Sequence, residues 1–156
     1  MAFRKVAIFT IVNNMEMYCE FKKSLESQRD VCYELFPIMN CNGEYNSARK
    51  AFNESADIND VELYIFSHPD IRFIYEYSLS EFISKAEEID DFGVVGVAGA
   101  RRIGNNREIV TTIIQGTNKE RVGIQVGGAT PVQTVDECFF AIKKEYRKKT
   151  KYCNTI

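Results

Sequence analysis

The chain has 156 residues, enough for one domain that buries roughly two-thirds of the surface its unfolded form would expose, without a metal or disulfide staple. Its 45% hydrophobic, 12% aromatic and 27% charged residues exclude disorder, which calls for low hydrophobicity and high net charge. A net charge of -2 and a pI near 5.6 exclude a protein devoted to neutralising nucleic-acid phosphates, so no nucleic-acid partner is expected.

Val6 to Val12 is a short apolar, β-branched run ending at Asn13-Asn14, which predicts a strand buried on both faces. At seven residues it is too short to span a membrane, and no small-residue cleavage site follows it. Met17, Phe21, Ser24, Leu25 and Gln28 then approximate a helical stripe, with Asn14 available as its cap. A second strand is predicted over Val31 to Met39, stopped by the turn-rich Asn40-Cys41-Asn42-Gly43. A second helix over Asn46 to Ala56, a third strand over Val61 to Ser67, a third helix over Ser78 to Ile89 and a fourth strand over Phe92 to Ala98 follow. This alternation points to a parallel sheet with right-handed crossovers.

From Arg101 the rhythm changes. Ile109 to Gln115 and Arg121 to Val126 are β-rich, Gly127-Gly128-Ala129-Thr130-Pro131 is turn-forming, and Val132 to Ile142 reads as another strand. Antiparallel strands are therefore expected to extend or flank the sheet. With no internal repeat and no low-complexity linker, residues 1–156 read as a single domain. Lys143 to Lys151 holds five lysines and one arginine against one glutamate, read first as a solvated terminus and second as a weak basic arm for peripheral membrane association. Five scattered cysteines with no CxxC pair speak against a disulfide framework or zinc site and for a reduced, cytoplasmic setting.

In open α/β sheets ligands gather beyond the carboxyl ends of the strands. Here those ends are Asn13-Asn14, Asn40-Cys41-Asn42-Gly43, Ser67-His68-Pro69-Asp70 and Gly99-Ala100-Arg101-Arg102. Together they offer amides, the chain's one imidazole, a carboxylate and two guanidinium groups, a set suited to a nucleotide with its phosphates. The glycines of "GVVGVAGA" lie within or just after a strand rather than in a turn opening a helix, so close packing explains them better than a dinucleotide fingerprint. His-Pro-Asp is also the tripeptide of J-domain co-chaperones, but there it joins two helices, whereas here it follows a strand. Asp70 alone could equally cap a following helix, and His68 could be a hydrogen-bonded structural residue.

The segments "NGEYNSARKAFNESA", "VELYIFSHPDIRF", "FGVVGVAGARR" and "PVQTVDECFFAIKKE", in that order and spacing, resemble the glycosyltransferase-like proteins allied to the large inverting GT-A family. The resemblance covers about residues 4–145 and implies an α/β, GT-A-like Rossmann-type mixed sheet, with a mostly parallel N-terminal half and antiparallel C-terminal strands. It implies a nucleotide-diphosphate sugar as donor and a divalent metal, Mn or Mg, at a His-x-Asp variant of the Asp-x-Asp motif. Asp70 would be the metal ligand and His68 a second ligand or a hydrogen-bonding group. Asn13 and Asn40 would lie beside base and ribose, and Arg49 near the base or diphosphate. Asp136 and Glu137 fall on the acceptor side. Relatives carry a further acid, often within Phe-Asp-Glu, as the base that deprotonates the acceptor; this sequence ends at Ile156 without it. Either Asp136 or Glu137 substitutes, or the chain binds a nucleotide sugar or a partner without transferring.

Overall fold

The computed structural model describes residues 5–56 and 61–147. In chain order the elements are β1 (Val6–Val12), α1 (Met15–Glu26), β2 (Glu34–Met39), α2 (Ala48–Ala56), β3 (Leu63–Ser67), α3 (Ser78–Glu87), β4 (Val95–Gly96), β5 (Ala98–Ile103), β6 (Asn106–Thr111), β7 (Thr134–Val135), β8 (Phe139–Lys143) and α4 (Lys144–Arg147). The main sheet has the order β2-β1-β3-β8-β4, and a second sheet the order β6-β5-β7. β1 pairs in parallel with β2 and β3, while β8 lies antiparallel between β3 and β4. β4 consequently points the same way as β3, and β8 alone in this sheet is reversed. This is the mixed α/β sheet expected, parallel in its first half and antiparallel toward the C-terminus.

β1 and β3 are buried at every position, which is why both read as unbroken apolar runs. Their alternate side chains face two cores. One face carries Val6, Ile8, Leu63, Ile65, Phe139 and Ala141 against Phe21 and Leu25 of α1 and Leu79, Ile83 and Ala86 of α3. The other carries Ala7, Phe9, Ile11, Tyr64, Phe66, Phe140 and Ile142 against Ala51 and Phe52 of α2. Strand register aligns Phe36, Phe9, Phe66 and Phe140 across four strands, with successive ring centroids 5.1, 5.5 and 5.1 Å apart. A continuous aromatic row of this kind resists slippage, because a shift of one residue would move every ring to the opposite face.

Several boundaries differ from the sequence reading. β2 starts at Glu34 rather than Val31, after a turn in which Asp30 takes a positive φ of 55°. The stretch from Phe92 to Ala98 is not one strand: only Val95–Gly96 joins the main sheet, and Ala98 opens the second. The β-rich run from Ile109 contributes to β6 only through Thr111. The 121–126 segment makes a single bridge, Ile124 to Val110, and forms no ladder of its own. Val132 to Ile142 divides into β7 and β8 around Asp136-Glu137-Cys138.

The start of the basic tail is docked rather than solvated. Lys143 Nζ donates to the carbonyls of Ile89 and Asp90, both at 3.0 Å, and lies 4.4 Å from the centroid of the Phe92 ring. Arg147 is buried and donates to the carbonyls of Phe52 and Asn53 near the C-terminal end of α2, where a cation is favoured. Lys144 opens α4; Lys148, Lys149 and Lys151, half of the six cations of the expected membrane arm, lie outside the described residues. No helix among the described residues is long and apolar enough to cross a membrane.

Candidate functional site

Register decides which loops meet. Val12 is level with Met39, and Thr10 with Ser67, so the residues that follow β1, β2 and β3 emerge at one edge. Ser67 is level with Phe139; since β8 is antiparallel, the turn preceding it, Asp136-Glu137-Cys138, reaches this same edge.

Asn14 caps α1 as expected, its side-chain oxygen accepting from the Met17 amide at 3.0 Å. Beside it Asn40 Nδ2 donates to Asn13 Oδ1 at 2.8 Å, and Asn40 Oδ1 accepts from the Tyr45 amide at 2.6 Å. These bonds hold the loops after β1 and β2 together, with Asn13 in an exposed position. Ser47 accepts from the Lys50 amide at the start of α2. Arg49, in that first turn, is exposed and its guanidinium has no ion-pair partner among the described residues.

The His68 amide donates to the Cys138 carbonyl at 2.9 Å, the last rung beyond β3. Pro69 occupies the second position of a turn closed by the Ile71 amide on the His68 carbonyl at 3.3 Å, a place its fixed φ suits. No helix follows at once: α3 begins only at Ser78, so Asp70 is not a cap. The side chains of His68 and Asp70 are exposed and have no protein partner among the described residues.

The opposing turn is built by Asp136, whose Oδ1 accepts from the Cys138 amide at 2.9 Å while its own amide donates to the Ala98 carbonyl. Glu137 is exposed and without a partner among the described residues. Burial, followed by a hydrogen bond and charge repulsion from Asp136, pushes the Cys138 thiol up to about 12. That thiol therefore stays protonated near neutrality and is no nucleophile.

The edge thus gathers Asn13, Asn40, His68, Asp70, Asp136 and Glu137, with Arg49 on the helix that follows the Asn40 loop. Arg101, also expected at a strand end, lies instead in the second sheet and is neutralised by Glu108 at 2.6 Å. No group of three or more His, Cys, Asp or Glu side chains among the described residues could hold a metal by itself. A concavity of about 390 Å³ bordered by Val6, Asp30, Cys32, Ile83 and Glu87 opens at the start of β1, the opposite end of the sheet. Two features escaped the sequence reading: the β3–β8 pairing that carries Asp136 to His68, whose signal is the acidic break inside an apolar run, and the anchoring of the Asp70 turn by Arg72.

The description "Glycosyltransferase like family" matches residues 7–151. The chain belongs to this glycosyltransferase-like family. Among solved structures, the fold of this family member is similar to that of CMP:2-keto-3-deoxy-manno-octonic acid synthetase complexed with CTP. The TM-score is 0.57 at 8% identity, covering 97% of this chain and 79% of that one; identity this low speaks for the shared fold alone. No curated protein matches the sequence.

Proposed function

We propose that this glycosyltransferase-like protein acts as one domain over residues 1–156, in the reducing cytoplasm, and moves a sugar from a nucleotide diphosphate to a hydroxyl acceptor with inversion. The observation that carries the reading is the convergence of the β1, β2 and β3 ends with the Asp136–Cys138 turn, an edge where His68 and Asp70 stand without protein partners among the described residues. Asn13 and Asn40 face base and ribose, and Arg49 the base or diphosphate.

Mg²⁺ or Mn²⁺ in such sites takes one or two carboxylates and completes its shell from substrate phosphates and water. A free Asp70 carboxylate with His68 two residues away fits an ion that arrives with the diphosphate rather than one held in a protein cage. Bound there, the ion would offset the charge on the departing diphosphate. Asp70, with His68 beside it, would hold that ion and so the diphosphate end of the donor. Glu137, or Asp136 beside it, accepts the acceptor's hydroxyl proton as that oxygen bonds to the anomeric carbon and the bond from that carbon to the diphosphate oxygen breaks.

A donor-binding protein without transfer is the second reading, favoured by the Asp136 carboxylate, which is committed to its own turn rather than standing ready as a base. The test is calorimetric titration with UDP, GDP and CDP, with and without Mn²⁺, on wild type and Asp70→Ala, the cytidine nucleotide included because the structural neighbour was solved with CTP. Mn²⁺-dependent binding lost in Asp70→Ala supports the donor site; binding of none of the three would refute it. Hydrolysis of, or transfer from, the matching nucleotide sugar then separates enzyme from binding protein.

A further inference from the structure

Arg72 lies two residues beyond Asp70 and ties its turn to the first helix. Its Nη1 donates to the carbonyls of Pro69 and Ile71, both at 2.8 Å. Its Nη2 donates to the Met17 carbonyl at 3.3 Å and to Glu20 Oε2 at 2.6 Å. One planar guanidinium therefore joins the backbone around Asp70 to the first turns of α1, the helix that Asn14 caps and Asn13 precedes. We propose that Arg72 is a positioning residue that fixes the diphosphate end of the donor site, at Asp70, relative to the base end, at Asn13 and Asn40.

The reason is geometric. A nucleotide diphosphate bridges the two ends, and a bridging ligand gains from both only when their separation already matches its length. Register fixes the strands, but Asp70 lies in a turn beyond the ladder. The segment after that turn has its own anchors: the Phe73 amide on Ser24 Oγ at 2.7 Å, the Tyr75 carbonyl on Gln28 Nε2 at 2.9 Å, and the Arg29–Glu76 ion pair at 2.8 Å. Loss of Arg72 therefore leaves residues 73–76 in place and cuts the tie between the Pro69–Ile71 turn and α1, the turn keeping its own closure by the Ile71 amide on the His68 carbonyl. The Glu20 pair is exposed on the acid's side, its side chain 59% accessible, and such pairs contribute little; the three carbonyl bonds do most of the positioning. Lysine, with a single ammonium, cannot span both partners' backbones as the planar fork does.

Arg72 acts in this way only if the edge holds a donor as proposed above, so the test compares ligands that use one end or both. Whichever of UDP, GDP and CDP binds wild type with Mn²⁺ is titrated alongside its nucleoside into wild type, Arg72→Ala, Arg72→Lys and Glu20→Gln. Arg72→Ala is expected to weaken the Mn²⁺-supported diphosphate roughly ten-fold, within the usual span of coupling between sites, and to leave nucleoside affinity and melting temperature nearly unchanged. Arg72→Lys should fail to restore binding, and Glu20→Gln should cost about two-fold or less. Wild-type affinity in Arg72→Ala, equal weakening of nucleoside and diphosphate, or full rescue by lysine, which would mean that charge alone suffices, each overturns the positioning role. Wild type that binds no nucleotide overturns the donor reading and this role with it, an outcome distinct from the other three.

Discussion

Gly93 and Gly99 stand six residues apart in one glycine-rich run and offer a matched test of why those glycines are there. A Cβ on Gly99 would come 2.6 Å from the Thr134 carbonyl oxygen and 3.0 Å from Val132 Cγ2, whereas a Cβ on Gly93 would meet nothing within 4 Å. Neither has a positive φ, so alanine is conformationally acceptable at both. Relieving the Gly99 contact requires β5 and β7 to separate, and overpacking of this kind costs about 1–3 kcal/mol. Alanine's smaller unfolded-state entropy returns about 0.4–1 kcal/mol, leaving a net loss near 1–2 kcal/mol. In a chain of this size that lowers the melting temperature by roughly 2–8 °C. Gly93→Ala keeps only the entropic gain and should melt at or slightly above wild type. Differential scanning calorimetry of the two variants reads the contrast directly. A Gly99→Ala protein as stable as wild type, or a Gly93→Ala protein equally destabilised, would refute close packing as the reason for the motif.

Thr10 is fully buried and its hydroxyl has no hydrogen-bond partner among the described residues. Thr10→Val, which keeps the shape and removes the unsatisfied oxygen, should therefore stabilise by about 1 kcal/mol and raise the melting temperature by roughly 2–4 °C; a lower one sinks the reasoning. The Cys138 thiol, held near 12 against an ordinary 9.0, should be alkylated by iodoacetamide at pH 8 far more slowly than the exposed Cys19, Cys32 and Cys41, as mass spectrometry of modified peptides would show. Because the folded state holds this proton more tightly than the unfolded chain, its contribution to stability is full below pH 9 and is lost progressively between pH 9 and about 12. Alkaline unfolding midpoints should fall over that window in wild type and less in Cys138→Ser.

What the sequence made legible is what local pattern determines. β1 and β3 are buried on both sides, so their apolar runs announced them, and Asn14 announced its helix through a cap. Gly96 and Gly99 do pack closely, with added Cβ atoms at 2.4 and 2.6 Å from their neighbours, but Gly93 does not. The chain from β4 onward was harder because its strands owe their places to distant partners: β4 and β7 are two residues each and carry no period of their own. The start of the tail was misread for a related reason. Lys143 and Arg147 look like solvated charge in one dimension, yet their long apolar stems and fixed donors let them close the carbonyl ends after α3 and in α2.

The direction of β8 also determines what the candidate edge can be. Sequence places Asp70 and Asp136 sixty-six positions apart, and a parallel sheet would keep them apart in space. A fifth parallel strand beside β3 would present its first residue at the amino end, some 15 Å away at about 3.3 Å per residue over a strand of five. Reversal puts the acidic turn against His68 instead, held by the amide of His68 on the carbonyl of Cys138. The second sheet then follows from the same reversal, because the chain must return to the carboxyl edge before it enters β8. It does so through β7, whose neighbour β5 receives the Asp136 amide at Ala98. The Asp136–Cys138 turn is thereby braced on one side by the main sheet and on the other by the second. Close packing at Gly99 thus bears on the proposed acceptor side as well as on stability: separating β5 from β7 moves the support of the acids proposed to receive the proton.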